Sequence, residues 1–232
     1  MKFVLSLTLL LTSLFGCSSA AKKVFSDGYP DIWWLEVPRS ELASWEIGPQ
    51  EADRSKGEVI LSKRNELGKL SNFTPAPFTL DGTTYASIEG LWQSMKFPDG
   101  PEDERMKDKS LVWPFTREQV QQMTSFEAKR AGDKAGENMK KLGITWVTYK
   151  GQKIDYKNTE KEKFYDIIFR ASRAKLEANP DIKALLLRTK TLKLLPDHHQ
   201  KPTDPPSYRY YEIYMKLREE YLAQGLSASL KF

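Results

Sequence analysis

The chain has 232 residues, a single cysteine and a formal net charge of +5 at pH 7. That length suits one domain that buries a sizeable core, and no internal repeat is apparent. Acidic and basic residues are well mixed along the chain. The modest positive excess therefore suits an anionic ligand such as a phosphate, but it gives no strong nucleic-acid signal.

The N-terminal segment predicts export and lipid attachment. Lys2 precedes an apolar run that is too short to span a bilayer and is typical of a secretory signal peptide. The run ends in Leu14-Phe15-Gly16-Cys17, which resembles a bacterial lipobox with cleavage before Cys17. The one cysteine has no intramolecular disulfide partner, and a diacylated cysteine needs none. An uncleaved anchor and a plain signal peptide are the alternatives.

The residue after this cysteine is Ser18, which resembles the outer-membrane sorting pattern. We therefore expect a lipid-anchored protein of the bacterial cell envelope, on the outer membrane and facing the periplasm. The next segment contains Trp33, Trp34 and Trp45, and we expect these rings to pack onto the domain rather than to form a sugar-binding platform. The predicted segments are a signal peptide at 1–16, a tether and Trp-containing extension at 17–57, one domain at 58–224 and a C-terminal tail at 225–232.

The elements follow from local patterns in chain order. They are a strand at 57–62, a hairpin at 78–85 with a type I′ turn, helices at 88–97, 126–142, 161–178, 180–188 and 208–224, and a short helix after a capping box at Thr116. The whole predicts a helix-rich single α+β domain with a small antiparallel sheet.

The helix predicted at 88–97 places polar residues on one face. Glu89, Trp92, Gln93 and Lys96 follow one another at helical spacing, while an apolar stripe of Ile88, Leu91 and Met95 can take the core. With Ser87 as N-cap, Glu89 lies in the first turn, where the helix dipole favours an ionised carboxylate. An ordinary solvated face with one charge pairing is the alternative.

The segment around this helix resembles a known family. It contains LSNF at 70–73, LDG at 80–82, and then a serine, a glutamate, a glutamine and a final Lys-Phe up to residue 97. Their order and spacing are similar to the NADAR/YbiA-like family, whose members are N-glycosidases that act on phosphorylated riboflavin-pathway intermediates or on ADP-ribosylated guanine. Gly90 stands where most members have His, and the late WG…N element of the family is absent.

The resemblance implies a YbiA-like fold and an N-glycosidase-type hydrolase with Glu89 as the catalytic carboxylate. Its substrate would be a phosphorylated riboside or an ADP-ribose conjugate. A carboxylate near the anomeric carbon stabilises the oxocarbenium-like charge that develops as the base departs. Asn72 and Gln93 suit sugar hydroxyls or a heterocycle edge, and Lys96 suits a phosphate.

Further residues are candidates for contact with the departing base. Trp146, Trp92 and Phe73 offer flat rings for stacking, with core packing as the alternative for each. Trp146 is expected in a loop after a helix that ends at Gly143, projecting its ring over the cleft. His198, in the pair of histidines at 198–199, is a candidate acid for the leaving base, with a solvated loop as the alternative.

No metal site and no cofactor are predicted, because adjacent histidines are poor joint ligands and cysteine partners are missing. Two other functions remain open. One is a non-catalytic envelope lipoprotein that binds ADP-ribose or a nucleotide in the same cleft. The other is an envelope scaffold whose basic surface contacts partners or anionic lipid.

Overall fold

The computed structural model describes residues 27–157, 163–201 and 203–229, with side chains described to residue 225. The predicted signal peptide, Cys17 and the last residues of the predicted tail lie outside the described residues. No helix in the described ranges is both long enough and apolar enough to cross a membrane.

The described part of the chain contains six α-helices and six strands besides several 3-10 turns. The helices are α1 Ile88–Ser94, α2 Arg117–Gln121, α3 Ser125–Lys141, α4 Lys163–Ala178, α5 Pro180–Arg188 and α6 Tyr210–Ser229. The strands are β1 Glu58–Ile60, β2 Phe78–Leu80, β3 Thr83–Tyr85, β4 Trp146–Tyr149, β5 Gln152–Asp155 and β6 Lys193–Leu195. The prediction of a helix-rich α+β domain is confirmed.

The strands differ from a single small antiparallel sheet. They form three separate pairs, of which β2–β3 and β4–β5 are antiparallel hairpins. The third pair joins β1 to β6 in parallel, with Val59 opposite Leu194. A parallel pair of strands that are distant in sequence cannot be read from hairpin signals, because its connection runs through most of the domain.

Local signals define several element ends as expected. The β2–β3 turn has positive φ at both Asp81 (49°) and Gly82 (84°), which is the type I′ geometry. The Ser87 hydroxyl accepts from the Gly90 amide at 2.9 Å and caps α1. Thr116 and Gln119 form the predicted capping box of α2.

The core gathers the apolar stripe of α1 together with part of the N-terminal extension. Ile88, Leu91 and Met95 are buried, as the helical spacing predicts. Trp33 is fully buried in the same cluster, and its indole N–H donates to Glu66 Oε1 at 2.8 Å. The Trp34 indole N–H donates to the Glu58 carbonyl at 2.8 Å. The extension therefore packs these two rings against the domain.

Candidate active site

A cleft of about 670 Å³ opens between α1, the loop that precedes the β2–β3 hairpin, and the segment between β6 and α6. That volume lies within the range of roughly 300–1,000 Å³ that is usual for small-molecule sites. Seven of the residues predicted from the sequence line it: Asn72, Phe73, Glu89, Trp92, Gln93, Lys96 and His198. The structure thus brings together residues from three separate parts of the chain.

Glu89 lies at the buried end of this arrangement. Its side chain accepts a hydrogen bond from Gln93 Nε2 at 2.7 Å, one helical turn later. Its backbone N–H donates to the Asn72 carbonyl at 3.0 Å, which ties α1 to the loop before the hairpin. Glu89 is 5% exposed, so the solvated-face alternative for this side of α1 does not hold.

Burial changes the electrostatics that were expected for Glu89. Loss of solvation raises the pKa of this carboxyl above its ordinary value, and the Gln93 hydrogen bond and the Lys96 charge oppose that rise without cancelling it. The first-turn position therefore does not set the electrostatics of Glu89 by itself, because desolvation outweighs the factors that lower its pKa. Burial also lowers the pKa of Lys96 to about 8, against the attraction of Glu89.

Two amide oxygens beside Glu89 have no protein partner among the described residues. They are Asn72 Oδ1 and Gln93 Oε1, and both are buried. A buried acceptor without a hydrogen bond costs free energy, about 1–3 kcal/mol in proteins. A ligand with hydroxyl or amino donors can satisfy Asn72 Oδ1, whereas Gln93 Oε1 lies against Gly132 of α3.

Glycines on two helices make this geometry possible. A Cβ at Gly90 would lie 2.5 Å from the Met123 carbonyl oxygen, so α1 and the end of α2 are too close for any side chain at that position. A Cβ at Gly132 of α3 would overlap Gln93 Oε1 at 1.6 Å. The absence of the histidine that the family pattern has at position 90 therefore has a packing reason here.

Aromatic rings form the wall on one side of α1. Trp92 packs against Phe164 at a centroid distance of 4.8 Å and against Tyr156 at 5.0 Å. The Lys96 ammonium lies 4.9 Å from the centre of the Trp92 ring. Trp92 thus packs in the core and also lines the cleft, so a ligand would contact only part of its ring.

The opposite wall contains charged residues, of which Lys63 was not predicted from the sequence. Lys63 forms an ion pair with Asp197, whose side chain is fully buried. Asp197 Oδ1 also lies 3.0 Å from His198 Nδ1. Burial raises the pKa of the Asp197 carboxyl, but the His198 hydrogen bond and the Lys63 charge outweigh it and hold that pKa below its usual value. This wall therefore has a stable carboxylate.

Gln200 contacts the second ring nitrogen of His198. Its Nε2 donates to the Tyr208 carbonyl at 3.0 Å and lies 3.1 Å from His198 Nε2. His198 Nδ1 thus faces Asp197 and His198 Nε2 faces Gln200. Both ring nitrogens of His198 are therefore engaged within the protein.

The parallel strand pair explains why these residues meet. β1 and β6 run side by side, and the Leu61 amide continues the ladder by donating to the Leu195 carbonyl at 2.9 Å. Lys63 and Asp197 each follow the carboxyl end of one strand. Polar residues after neighbouring parallel strands converge at one edge, which is the usual place for a ligand site in parallel sheets. That signal was available only once the pairing was known.

Trp146 does not line the cleft, and its prediction as a base-stacking residue is corrected. It begins β4 instead of lying in a loop, and it pairs with Asp155. The Lys153 ammonium and the Arg105 guanidinium lie 4.3 Å and 5.1 Å from the ring centre. The β-strand that follows Gly143 directs this residue into a cation–π contact elsewhere on the domain.

The described part of the chain contains no group of three or more His, Cys, Asp or Glu side chains that could hold a metal ion.

Comparison with known proteins gives one similarity in structure. The chain is similar to the NMR structure of the E. coli protein YbiA, with 22% sequence identity, coverage of 72% of this chain and 87% of that chain, and a TM-score of 0.44. No family model matches the chain, and no curated protein matches it significantly.

Proposed function

We propose that the protein is an N-glycosidase-type hydrolase that cleaves the N-glycosidic bond of a phosphorylated riboside or an ADP-ribose conjugate. The observation that supports it best is the buried Glu89 carboxyl in a cleft, hydrogen-bonded to Gln93 and flanked by two amide oxygens without partners. The order of residues in segment 68–97 supports the same chemistry.

Hydrolysis breaks the bond between the anomeric carbon and the base nitrogen. The base leaves with the electron pair of that bond and takes up a proton, while water adds its oxygen to the anomeric carbon. Positive charge develops on the sugar in between, and the Glu89 carboxylate stabilises it and accepts the proton of the attacking water. Burial raises the pKa of Glu89, which means that the protein alone stabilises its carboxylate poorly. The positive charge that develops on the sugar supplies the missing stabilisation in the transition state.

The groups around Glu89 suit the rest of such a substrate. Asn72 Oδ1 accepts a hydrogen bond from a ribose hydroxyl, which satisfies that oxygen, while Gln93 orients Glu89 through its Nε2 donor. The Lys96 ammonium, with its pKa lowered to about 8, still carries its proton at neutral pH and pairs with a phosphate or with Glu89.

The leaving base has aromatic and polar neighbours. Trp92 and Phe73 both line the cleft, and the Trp92 ring, on the same helix as Glu89, offers its surface to the planar leaving base. His198 is held by Asp197 and Gln200 at the edge of the cleft, where it can contact the substrate. It can act as the acid for the base only if Gln200 moves away from the Nε2 atom of His198. We therefore assign His198 to substrate binding first.

A non-catalytic protein that binds ADP-ribose or a nucleotide in the same cleft is the second candidate. The absence of the family's WG…N element favours it, because a cleft that has lost part of its catalytic residues can still keep the groups that bind the ligand. A buried carboxyl argues against it, since an anionic phosphate ligand gains little from a second negative group. An envelope scaffold is the third possibility and predicts no small-molecule ligand.

The deciding experiment incubates the purified protein with a panel of phosphorylated N-ribosides and ADP-ribosylated bases, and measures free base by chromatography. Release of base from a panel member supports the hydrolase. Saturable binding of ADP-ribose without release of base from any panel member favours the binding protein. If the protein neither binds nor cleaves any panel member, the envelope scaffold is the candidate that remains.

We propose further that the protein is held at the bacterial envelope by a lipid on Cys17, which lies outside the described residues. Each buried CH₂ of an acyl chain adds about 0.8 kcal/mol of membrane affinity, so two chains retain the protein stably. Cys17→Ser should remove palmitate labelling and shift the protein out of the membrane fraction. Equal membrane retention of the Ser variant, with no label in the unsubstituted protein, would contradict the proposal.

A further inference from the structure

Three aromatic rings surround the mouth of the cleft, away from the Trp92 cluster. Trp45 is 42% exposed and Phe126 is 47% exposed, with ring centres 6.4 Å apart and planes inclined by 59°. Phe73 meets Phe126 edge to face at 5.2 Å. The rings come from the N-terminal extension, the start of α3 and the loop before the hairpin, and all three line the cleft.

Their exposure sets them apart from the other rings of the same extension. Trp33 is fully buried, and Trp34 is half-buried with its indole N–H on the Glu58 carbonyl. Trp45 instead lies at the cleft, with the exposed ring of Phe126 beside it. Adjacent exposed aromatic groups inside a concavity mark a binding surface more often than a failure of packing, because planar ligands gain from stacking on them.

A positive charge lies against the same rings. The Lys63 ammonium is 5.5 Å from the centre of Trp45 and 5.5 Å from the centre of Phe73. Asp197 holds it in place through an ion pair, and the Lys63 side chain remains partly exposed. An ammonium has three donors, so Lys63 keeps donors for a phosphate oxygen while it stays bound to Asp197.

The mouth is continuous with the Glu89 end of the cleft. Phe73 follows Asn72, whose carbonyl accepts the Glu89 N–H at 3.0 Å. One cavity of about 670 Å³ includes both ends. A ligand with a sugar at Glu89 can therefore extend past Lys63 to the rings without leaving the cleft.

We infer that Trp45, Phe126, Phe73 and Lys63 form a second subsite that binds a planar heterocycle carrying a diphosphate. This inference rests on the proposed function and narrows it: the substrate is an ADP-ribose conjugate, whose distal adenine stacks at the mouth while its proximal ribose reaches Glu89. A monophosphorylated riboside has one heterocycle, which departs at the Glu89 end, and it leaves the exposed rings unused. Trp45 lies in the N-terminal extension, outside the segment 68–97, so the extension contributes one ring of this subsite.

The test measures binding, so it does not depend on turnover. The purified protein is titrated calorimetrically with ADP-ribose and with ribose 5-phosphate. The unsubstituted protein should bind ADP-ribose at least about 10-fold more tightly, since stacking one base on an aromatic side chain contributes about that much. Trp45→Ala and Phe126→Ala should each weaken ADP-ribose binding by about 10-fold and leave ribose 5-phosphate binding unchanged.

Two control variants separate stacking from general effects. Phe115 is 36% exposed and does not line the cleft, so Phe115→Ala should bind both ligands like the unsubstituted protein. Trp45→Phe keeps a ring and should recover most of the affinity that Trp45→Ala loses. Thermal melting of each variant checks that its fold is intact.

Several results would overturn the subsite. These are equal affinity for the two ligands, no binding of ADP-ribose, or an ADP-ribose affinity that Trp45→Ala and Phe126→Ala leave unchanged. The hydrolase can fail separately: ring-dependent binding without release of base from any conjugate removes the proposed activity and keeps the subsite. Conversely, release of base from an ADP-ribose conjugate with the same kcat/KM in Trp45→Ala keeps the activity and removes the subsite.

Discussion

The two walls of the cleft are built in different ways. On one wall Glu89, Gln93 and Lys96 come from a single short helix and its C-terminal end. On the other wall Lys63 and Asp197, 134 positions apart in the chain, meet because β1 and β6 pair in parallel. Helical spacing is enough to group the first set, whereas the second set exists only after the whole domain has folded.

The difference also concerns electrostatics. On the helix wall burial raises the pKa of Glu89, because one amide and one ammonium do not fully replace its water. On the strand wall Asp197 is buried just as well, yet its pKa is lowered by His198 and Lys63. A carboxyl that the protein stabilises incompletely is the better candidate for chemistry, while one that is fully paired is the better candidate for structure.

The largest expected effect tests the chemical role of the helix wall. Glu89→Gln keeps the size of the side chain and removes its charge. On a substrate from which the unsubstituted protein releases base, kcat should fall by about 10²-fold or more, because the stabilisation of the cationic sugar is lost. Steady-state kinetics measure it, and circular dichroism checks that the fold is intact.

Glu219→Gln is the matched control, since Glu219 is an exposed carboxylate on α6 and does not line the cleft. It should leave kcat unchanged. An unchanged kcat in Glu89→Gln would remove Glu89 from the mechanism, whatever the control shows.

A second variant tests the packing beneath the helix wall. Gly90→Ala adds a Cβ that would lie 2.5 Å from the Met123 carbonyl oxygen, so α1 and α2 must separate. We expect a loss of about 2 kcal/mol in the free energy of unfolding, measured by urea denaturation. Gly136→Ala in α3 meets nothing within 4 Å and should be neutral or slightly stabilising. Equal stability of the two variants would contradict the close packing at Gly90.

The features that follow from local signals could be predicted from the sequence. The Ser87 cap, the turn at Asp81-Gly82 and the buried stripe with Ile88 each follow from neighbouring residues, and each is present. The same reasoning gave the face of α1 that meets the cleft. It failed to give the burial of Glu89, because burial depends on helices that are separated from α1 in the chain.

The other features that were not predicted correctly also depend on tertiary structure. Trp146 was expected in a loop, and its strand pairing with β5 carries it away from the cleft. The Lys63–Asp197 pair depends on a parallel strand contact that no short-range pattern encodes. Trp45 was assigned to packing together with Trp33, because composition does not tell which ring of an extension remains exposed.

A third variant tests the strand wall. Lys63→Met leaves the fully buried Asp197 carboxylate with His198 as its remaining ionisable partner. Breaking a buried pair is costly because one charge is left uncompensated, and partial exposure of Lys63 reduces that cost to about 2 kcal/mol of unfolding free energy. Lys69→Met is the control: its pair with Asp181 is exposed on both sides and should contribute under about 1 kcal/mol. Equal losses would mean that Asp197 does not depend on Lys63.

The smallest expected effect concerns a buried lysine that supports the loop leading to Asn72. Lys175 of α4 is fully buried, and its Nζ donates to the Lys69 carbonyl at 2.9 Å and to the Ser71 carbonyl at 2.8 Å. These bonds hold the loop that leads to Asn72. Burial lowers the pKa of Lys175 to about 7, far below the value of 10.5 for a free lysine. The amine keeps two donors when it loses its proton, so the loop stays bound in either state.

The sign of the resulting pH dependence follows from proton binding. A depressed pKa means that the unfolded chain binds more protons than the folded protein between about 7 and 10.5, so stability rises with pH through that window and is lost as pH falls through the folded pKa. Relative to Lys175→Met, the unsubstituted protein should gain about 1 kcal/mol of unfolding free energy between about pH 6 and pH 8. Urea denaturation at both pH values measures the difference, and Lys216→Met, at an exposed position on α6, should show no such change. A difference that is independent of pH would mean that Lys175 does not titrate in this window, and its bonds to the loop would then be those of a lysine that stays charged.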